Sequence, residues 1–162
     1  MPRTARLFIE NAVYHIIVRS NNGRTIFDND RAFKAYLTLV HRYKLRFCCL
    51  IYCYCLMKNH VHLLIESPRG KSAMSSFMKG INQTYSMIIK SEKGTIGHLW
   101  QDRYKSLVVC KDSYLHNLVT YIENNPVRAG IVIRPEDYAW SSYRARLTGK
   151  RDLITDEFRG QP

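Results

Sequence analysis

"FCCLIYCYCLMKNHVHLLIE", residues 47–66, holds two apolar segments joined by a short polar break. The first segment, 47–57, is apolar without alternation, as expected of a central strand covered on both faces. Lys58-Asn59 supplies a tight turn. The second segment alternates: Val61, Leu63 and Ile65 point one way, and His60, His62, Leu64 and Glu66 the other. The stretch therefore predicts a β-hairpin with two imidazoles on one face. A two-residue turn sets Cys55 opposite His62 on that face. A three-residue turn flips the parity and puts Tyr54 there.

Outward from this hairpin, the hydrophobic period switches between strand and helix. "AVYHIIVR", 12–19, is rich in β-branched residues and predicts a strand. Ala12, Tyr14, Ile16 and Val18 share one of its faces, and Val13, His15, Ile17 and Arg19 the other. "SNNG" turns the chain. From Asp30, apolar residues at Phe33, Tyr36, Leu37, Val40 and Tyr43 have helical spacing. Met74, Phe77, Met78, Ile81, Tyr85 and Ile88 form the buried stripe of a second, longer helix. "SLVVC", 106–110, is a short strand. Asp112 or Ser113 can cap a third helix with a core face of Leu115, Leu118, Val119 and Ile122. Asn125-Pro126 ends or kinks it.

Strand–helix–strand, twice over, is the split βαβ or ferredoxin-like pattern: an α+β fold with an antiparallel sheet and its helices on one face. The other face is open, and His60 and His62 point to it if Val61, Leu63 and Ile65 meet the helices. Residues 1–146 form one domain on this reading, and 147–162 a polar, loosely held C-terminal tail.

The 162 residues carry 25 Lys and Arg against 13 Asp and Glu, a formal net charge of +12. The cations are spread from Arg3 to Arg159, so a positive folded surface fits better than a basic arm. Such a surface calls for a polyanionic partner, nucleic acid or an anionic membrane. No apolar run approaches the roughly 18 residues of a membrane span. The start lacks a signal-peptide core, so the expected location is cytoplasmic. Five cysteines, four of them in one apolar run, lack disulfide-framework spacing and predict buried free thiols.

Side chains at i and i+2 of a strand stand about 7 Å apart and can converge on one metal ion, given a third ligand. The plainer reading of this spacing is that both are polar residues of a solvated sheet face, or that one is hydrogen-bonded in the core. Cys53 and Cys55 would complete a structural zinc set, although a flat hairpin directs four ligands poorly towards a tetrahedron. Tyr114, Asn117, Tyr121 and Asn125, spaced 3, 4 and 4, form a polar stripe on the third helix. Tyr121 and Asn125 can present a phenol and an amide oxygen to one spot; a surface tyrosine and a turn-capping asparagine are the plainer readings.

"LMKNHVHLLIE" (56–66), "GHLWQDRYKS" (97–106), "YIENNPVRAG" (121–130) and "WSSYRA" (140–145), in that order and spacing, resemble the single-tyrosine HUH transposases. The branch most like it is the one associated with repetitive extragenic palindromes (REP). The likeness covers roughly residues 3–146. It implies that His60 and His62 are paired ligands of Mg²⁺ or Mn²⁺, that Tyr121 is the nucleophile, and that Asn125 is a third ligand. Relatives often carry Gln at that last position, and Met-Pro-Asn where this chain has Met-Lys-Asn. The partner implied is single-stranded or hairpin DNA, bound by a monomer or a homodimer.

A phenol with a pKa near 10 is ionised in only about one molecule per thousand at pH 7, so the chemistry needs help from a cation or base. Tyr85 and Tyr114 are the alternatives to Tyr121 among eleven tyrosines. Arg19, Lys58, Trp100, Gln101, Arg103, Lys105 and Arg128 are the candidate DNA contacts, with Trp100 and Tyr104 suited to base stacking. A non-catalytic module that binds hairpin DNA or RNA through the same fold is the alternative function.

Overall fold

The computed structural model describes residues 8–9, 11–94, 97–109, 112–150 and 152–158, with the side chains at 112 and 113 outside that description. The expected cap at Asp112 or Ser113, and Cys110, therefore lie outside the described residues. In chain order the elements are β1 (Val13–Arg19), α1 (Asp30–Phe47), β2 (Leu50–Met57), β3 (His60–Glu66), α2 (Gly70–Lys93), β4 (Lys105–Val109), α3 (Asp112–Glu123), α4 (Asn125–Arg128) and α5 (Tyr143–Thr148). The sheet order is β2-β3-β1-β4, every neighbouring pair antiparallel. This is the expected ferredoxin-like arrangement. No helix among the described residues is long and apolar enough to cross a membrane.

The hairpin turns in two residues, so Cys55 pairs with His62 and Met57 with His60. A register shift between Ile51 and Cys53 inserts Tyr52 as an extra residue in β2. Beyond it, the alternation sorts the side chains cleanly. Tyr14, Ile16 and Val18 of β1, and Val61, Leu63 and Ile65 of β3, join Phe33, Tyr36 and Val40 of α1 and Met74, Phe77, Ile81 and Tyr85 of α2 in one core. Asn29 starts α1 by accepting the Ala32 amide on its side chain at 3.0 Å. α1 and α2 cross closely at Gly80, where a Cβ would stand 2.4 Å from a Tyr43 ring atom. Ile89 is buried at the end of α2's stripe where the spacing had suggested Ile88, which is only partly buried.

Two expectations need correction. The helices are not confined to one face: α3 lies on the other, and its Leu115, Leu118, Val119 and Ile122 pack on Cys53, Cys55, Met57 and Leu64. β2 is not central either; it is an edge strand. Its unbroken apolarity has another cause, since α1 and α2 cover one of its faces and α3 the other. Its outer edge is also closed. Leu56 N donates to Trp140 O at 2.9 Å, Ser142 N to Tyr54 O at 3.0 Å, and Asp156 N to Ile51 O at 2.7 Å. A later segment thus supplies the partners that a ladder strand would otherwise give. Residues 152–158, polar in composition, are held rather than loose: Lys44 binds Asp156 and the Ile154 carbonyl at 2.8 Å each, and Phe158 stacks on Tyr52.

Candidate active site

The pairing register puts His15, His60 and His62 together on the α3 side of the sheet, because Ile17 lies opposite His62 and Arg19 opposite His60. Each histidine of the pair is held through its Nδ1. His62 Nδ1 lies 2.9 Å from His15 Nε2, and His60 Nδ1 lies 2.7 Å from Asn59 Oδ1. The Asn59 amide is fixed from its other end, where Nδ2 donates to the Gly23 carbonyl at 3.2 Å. An amide oxygen only accepts, so His60 carries its proton on Nδ1 and keeps a lone pair on Nε2. Burial lowers the pKa of His62 to about 3, helped by the charges of His15, His60 and Arg19. Burial alone lowers His15 to about 4. His60 is lowered by burial and then by Arg19. All three are neutral at pH 7, the form that ligates metal.

Tyr121 reaches the same place from α3. Its ring lies edge-on to His62 with centroids 6.4 Å apart, and it is 40% exposed. The Arg128 guanidinium sits 4.7 Å from the Tyr121 ring centroid. Asn125 donates its amide nitrogen to the carbonyls of Tyr121 and Ile122 at 3.0 and 3.1 Å, which leaves its oxygen as the atom able to ligate. The Pro126 break ends α3 at Glu123 and starts the short α4 two residues on.

What fixes α3 is a buried acid. Glu123 has no exposed surface, accepts from Ser142 Oγ at 2.6 Å, and pairs with Arg146. Ser142 Oγ also accepts the Tyr54 amide at 3.0 Å. The "YIENNP" and "WSSY" motifs therefore meet, and the helix carrying Tyr121 is pinned to the edge of β2. Trp140 of the second motif stacks on Phe33, with centroids 4.6 Å apart.

The other sequence-predicted residues divide. Arg19, Gln101, Arg103 and Lys105 line one cavity of about 310 Å³, and Arg19, Gln101 and His60 share another of about 350 Å³. Lys58 is exposed at the hairpin turn, where its carbonyl accepts from Ile26 and Phe27. Trp100 is not a free stacking platform. Its Nε1 donates to the Asn82 carbonyl at 2.9 Å and its ring packs on Tyr36 and Tyr85, while Tyr104 is buried. Tyr85 is buried in the opposite face and donates to the Ile26 carbonyl at 2.8 Å; Tyr114 is exposed two turns before Tyr121. Cys53 and Cys55 lie in the apolar layer under α3, where burial drives their thiol pKa values up. Cys48, expected to be buried, is exposed at the left-handed end of α1.

Sequence reasoning missed His15, Asn59, Glu123 and Ser142 as parts of the site. Strand parity put His15 on the correct face and would have identified it, had the register against β3 been known. Among the described residues no three His, Cys, Asp or Glu side chains gather to hold an ion. A cation here would take the two imidazoles, an amide oxygen, and phosphate or water. That is an open set, as Mg²⁺ bound with substrate prefers.

The chain matches over 24% identity and 117 residues a protein of Haemophilus influenzae described as a REP-associated tyrosine transposase; the match covers 67% of this chain and 65% of that protein, less than two thirds of its length. Among solved structures, a REP-associated tyrosine transposase bound to a REP hairpin superposes with a TM-score of 0.77 at 20% identity, covering 100% of this chain and 98% of the other. A protein of Deinococcus radiodurans described as a transposase gives 0.51 at 18% identity, over 76% and 97%. The tRNA(His) guanylyltransferase of Saccharomyces cerevisiae gives 0.54 at 9% identity, over 75% and 61%, so the fold by itself does not select a chemistry. The family model described as "Transposase IS200 like" matches residues 8–125, which takes in the first strand, the hairpin histidines and Tyr121. By that match the chain belongs to the IS200-like transposase family.

Proposed function

We propose that this protein is a metal-dependent transposase that cuts and rejoins single-stranded DNA beside a hairpin, with Tyr121 as nucleophile and His60 and His62 holding one Mg²⁺ or Mn²⁺. One observation carries the reading. Both imidazoles are engaged at Nδ1 by a neighbouring side chain, Asn59 for His60 and His15 for His62. For His60 this leaves Nε2 free as a ligand. His62 Nε2 is free when His62 Nδ1–H donates and His15 Nε2 accepts, with the His15 proton on Nδ1. Partners of this kind orient ligating histidines and fix their tautomer.

A cation bound there would neutralise charge on the scissile phosphate and orient it for in-line attack. The chain supplies the rest. Tyr121 Oη forms a bond to phosphorus, the P–O3′ bond breaks, and the departing 3′ oxygen takes up a proton while the phenol gives one to water. The products are a 5′-phosphotyrosine and a free 3′-hydroxyl. The phosphodiester energy is retained in the covalent bond, so the reverse attack by a 3′-hydroxyl rejoins DNA without ATP. Arg128 over the Tyr121 ring brings a positive charge close to the nucleophile, where it opposes the charge of the incoming phosphate.

Incubation with single-stranded hairpin oligonucleotides and Mn²⁺ tests this reading, scored as a protein–DNA band that survives denaturant. The wild-type chain should give the band, and Tyr121→Phe should lose it while still binding the DNA. Absence of the band across a broad substrate set, with binding intact, would replace the enzyme by a non-catalytic hairpin-binding module.

A further inference from the structure

Three cations, Arg19, Arg103 and Lys105, line the cavity beside the imidazole site. The sheet ladder ranks them by distance. Arg19 lies directly opposite His60 in the β1–β3 pair. The two side chains therefore share a face, with their Cα atoms about 5 Å apart. Lys105 pairs with Ile17, which pairs with His62. It stands two strands, about 10 Å, from the ligand pair. Arg103 precedes β4. Of the three, only Arg19 also lines the cavity that ends at His60.

The backbone at Arg19 is fixed on both sides. Its carbonyl accepts from Gln101 N at 3.0 Å, Ser20 N donates to the Asn59 carbonyl at 2.9 Å, and Asn21 N donates to the Leu99 carbonyl at 2.8 Å. The side chain is exposed and, among the described residues, makes no ion pair. Asp102, the acid in the same cavity, turns its Oδ1 onto the Arg103 amide at 2.6 Å instead. A rigid strand end thus carries an unpaired guanidinium next to His60. That placement works against metal binding, because the guanidinium repels a divalent cation on His60 and His62. An anion between the two charges would reconcile them, and His15, Asn59, His60 and His62 supply no negative charge. The reaction brings one, the phosphate of the DNA.

We propose that Arg19 is a catalytic residue of strand transfer, its guanidinium donating to a non-bridging oxygen of the scissile phosphate beside the two imidazoles. The inference rests on the function proposed above. As Tyr121 Oη bonds to phosphorus and the P–O3′ bond breaks, charge gathers on the non-bridging oxygens. A planar guanidinium meets that charge with two parallel N–H donors and changes none of its own bonds. A lysine has no such fork. Arg128 sits over the Tyr121 ring, so one arginine attends the nucleophile and the other the phosphate.

The test compares the full wild-type chain with Arg19→Ala and Arg19→Lys. With a hairpin oligonucleotide and saturating Mn²⁺, single-turnover adduct formation should slow about 100- to 1000-fold in Arg19→Ala. Arg19→Lys should recover part of that rate. Affinity for the same DNA should fall by less than about tenfold, as for the loss of one phosphate contact. Without DNA, Mn²⁺ affinity in calorimetry should rise about 2- to 10-fold in Arg19→Ala, because a repelling charge is gone. A merely structural role would lower it. A methylphosphonate placed at the scissile position, mapped from the wild-type adduct, carries no negative charge. On one of its stereoisomers the ratio of wild-type to Arg19→Ala rates should shrink to below about tenfold. An Arg19→Ala rate within about threefold of wild type on ordinary DNA would overturn the proposal. So would a loss lying wholly in DNA affinity, weaker Mn²⁺ binding, or a rate ratio that stays undiminished on both stereoisomers. A wild-type chain that forms no adduct sinks the enzymatic reading itself, whereas a wild-type adduct untouched by Arg19→Ala sinks only the role of Arg19.

Discussion

The two faces of the sheet solve burial differently. Under α1 and α2 the core is apolar and aromatic: Phe27, Phe33, Tyr36 and Tyr85 interlock, and the Tyr85 hydroxyl finds the Ile26 carbonyl. Between the sheet and α3 lie His15, His62 and Glu66 of the strands and Glu123 of α3, all buried. Each of these has a stated partner: His15 with His62, Glu66 with Tyr52, and Glu123 with Ser142 and Arg146. An apolar core tolerates exchange of one hydrophobe for another of similar volume. A paired polar face does not, because removing one member strands the other. The first face holds the fold together; the second holds a constellation in place.

That contrast can be broken experimentally. Phe77→Ala on the aromatic face should cost about 3–5 kcal/mol in denaturant unfolding, with the metal and DNA affinities of the remaining folded protein intact. Glu123→Ala should cost less, about 1–3 kcal/mol, since it leaves Ser142 and the half-exposed Arg146 unpaired. It should nonetheless lower adduct formation disproportionately, because α3 loses its anchor. His15→Phe and Asn59→Ala should each cost about 1–3 kcal/mol at pH 8, since His62 or His60 loses its partner, and weaken Mn²⁺ binding by about 10- to 100-fold in calorimetry. Unchanged Mn²⁺ affinity in both would remove the tautomer argument.

Acid should act first on the second face. His15 and His62 are held neutral in the folded chain, with pKa values of about 4 and about 3, and take protons near 6.5 when unfolded. Below about pH 6.5 the unfolded chain binds more protons, so this contribution to stability is complete above that pH and is lost as the pH falls towards the folded values. Denaturant midpoints measured from pH 7.5 to pH 4.5 should fall, and more gently in His15→Phe. Lys58→Ala, at the exposed turn, should change stability by no more than about 0.5 kcal/mol.

The order of strands and helices was legible because each period is local: alternation in 60–66, and spacings of three and four in α1 and α2. The face of His60 and His62 followed from parity alone. The position of β2 at an edge was not legible, since a strand covered on both faces reads alike whether its neighbours are strands or a distant segment. Nor was the side of the sheet that α3 takes, because its apolar stripe fits either layer. Tyr121 stood out through motif resemblance, whereas Glu123 looked like an ordinary helix charge. Only the long-range meeting with Ser142 and Arg146 makes it a buried anchor. His15 was hidden for the same reason: its partner is 47 positions away.

The closed edge of β2 also sets an order of events during synthesis. Tyr54 waits for Ser142, 88 positions downstream. At ribosomal speeds of about 5–20 residues per second, the hairpin leaves the exit tunnel roughly 4–18 s before its cover emerges. For that interval a nascent strand with every apolar side chain in place displays bare amides and carbonyls. The growing polypeptide therefore gives chaperones a window that closes only when its final motif emerges.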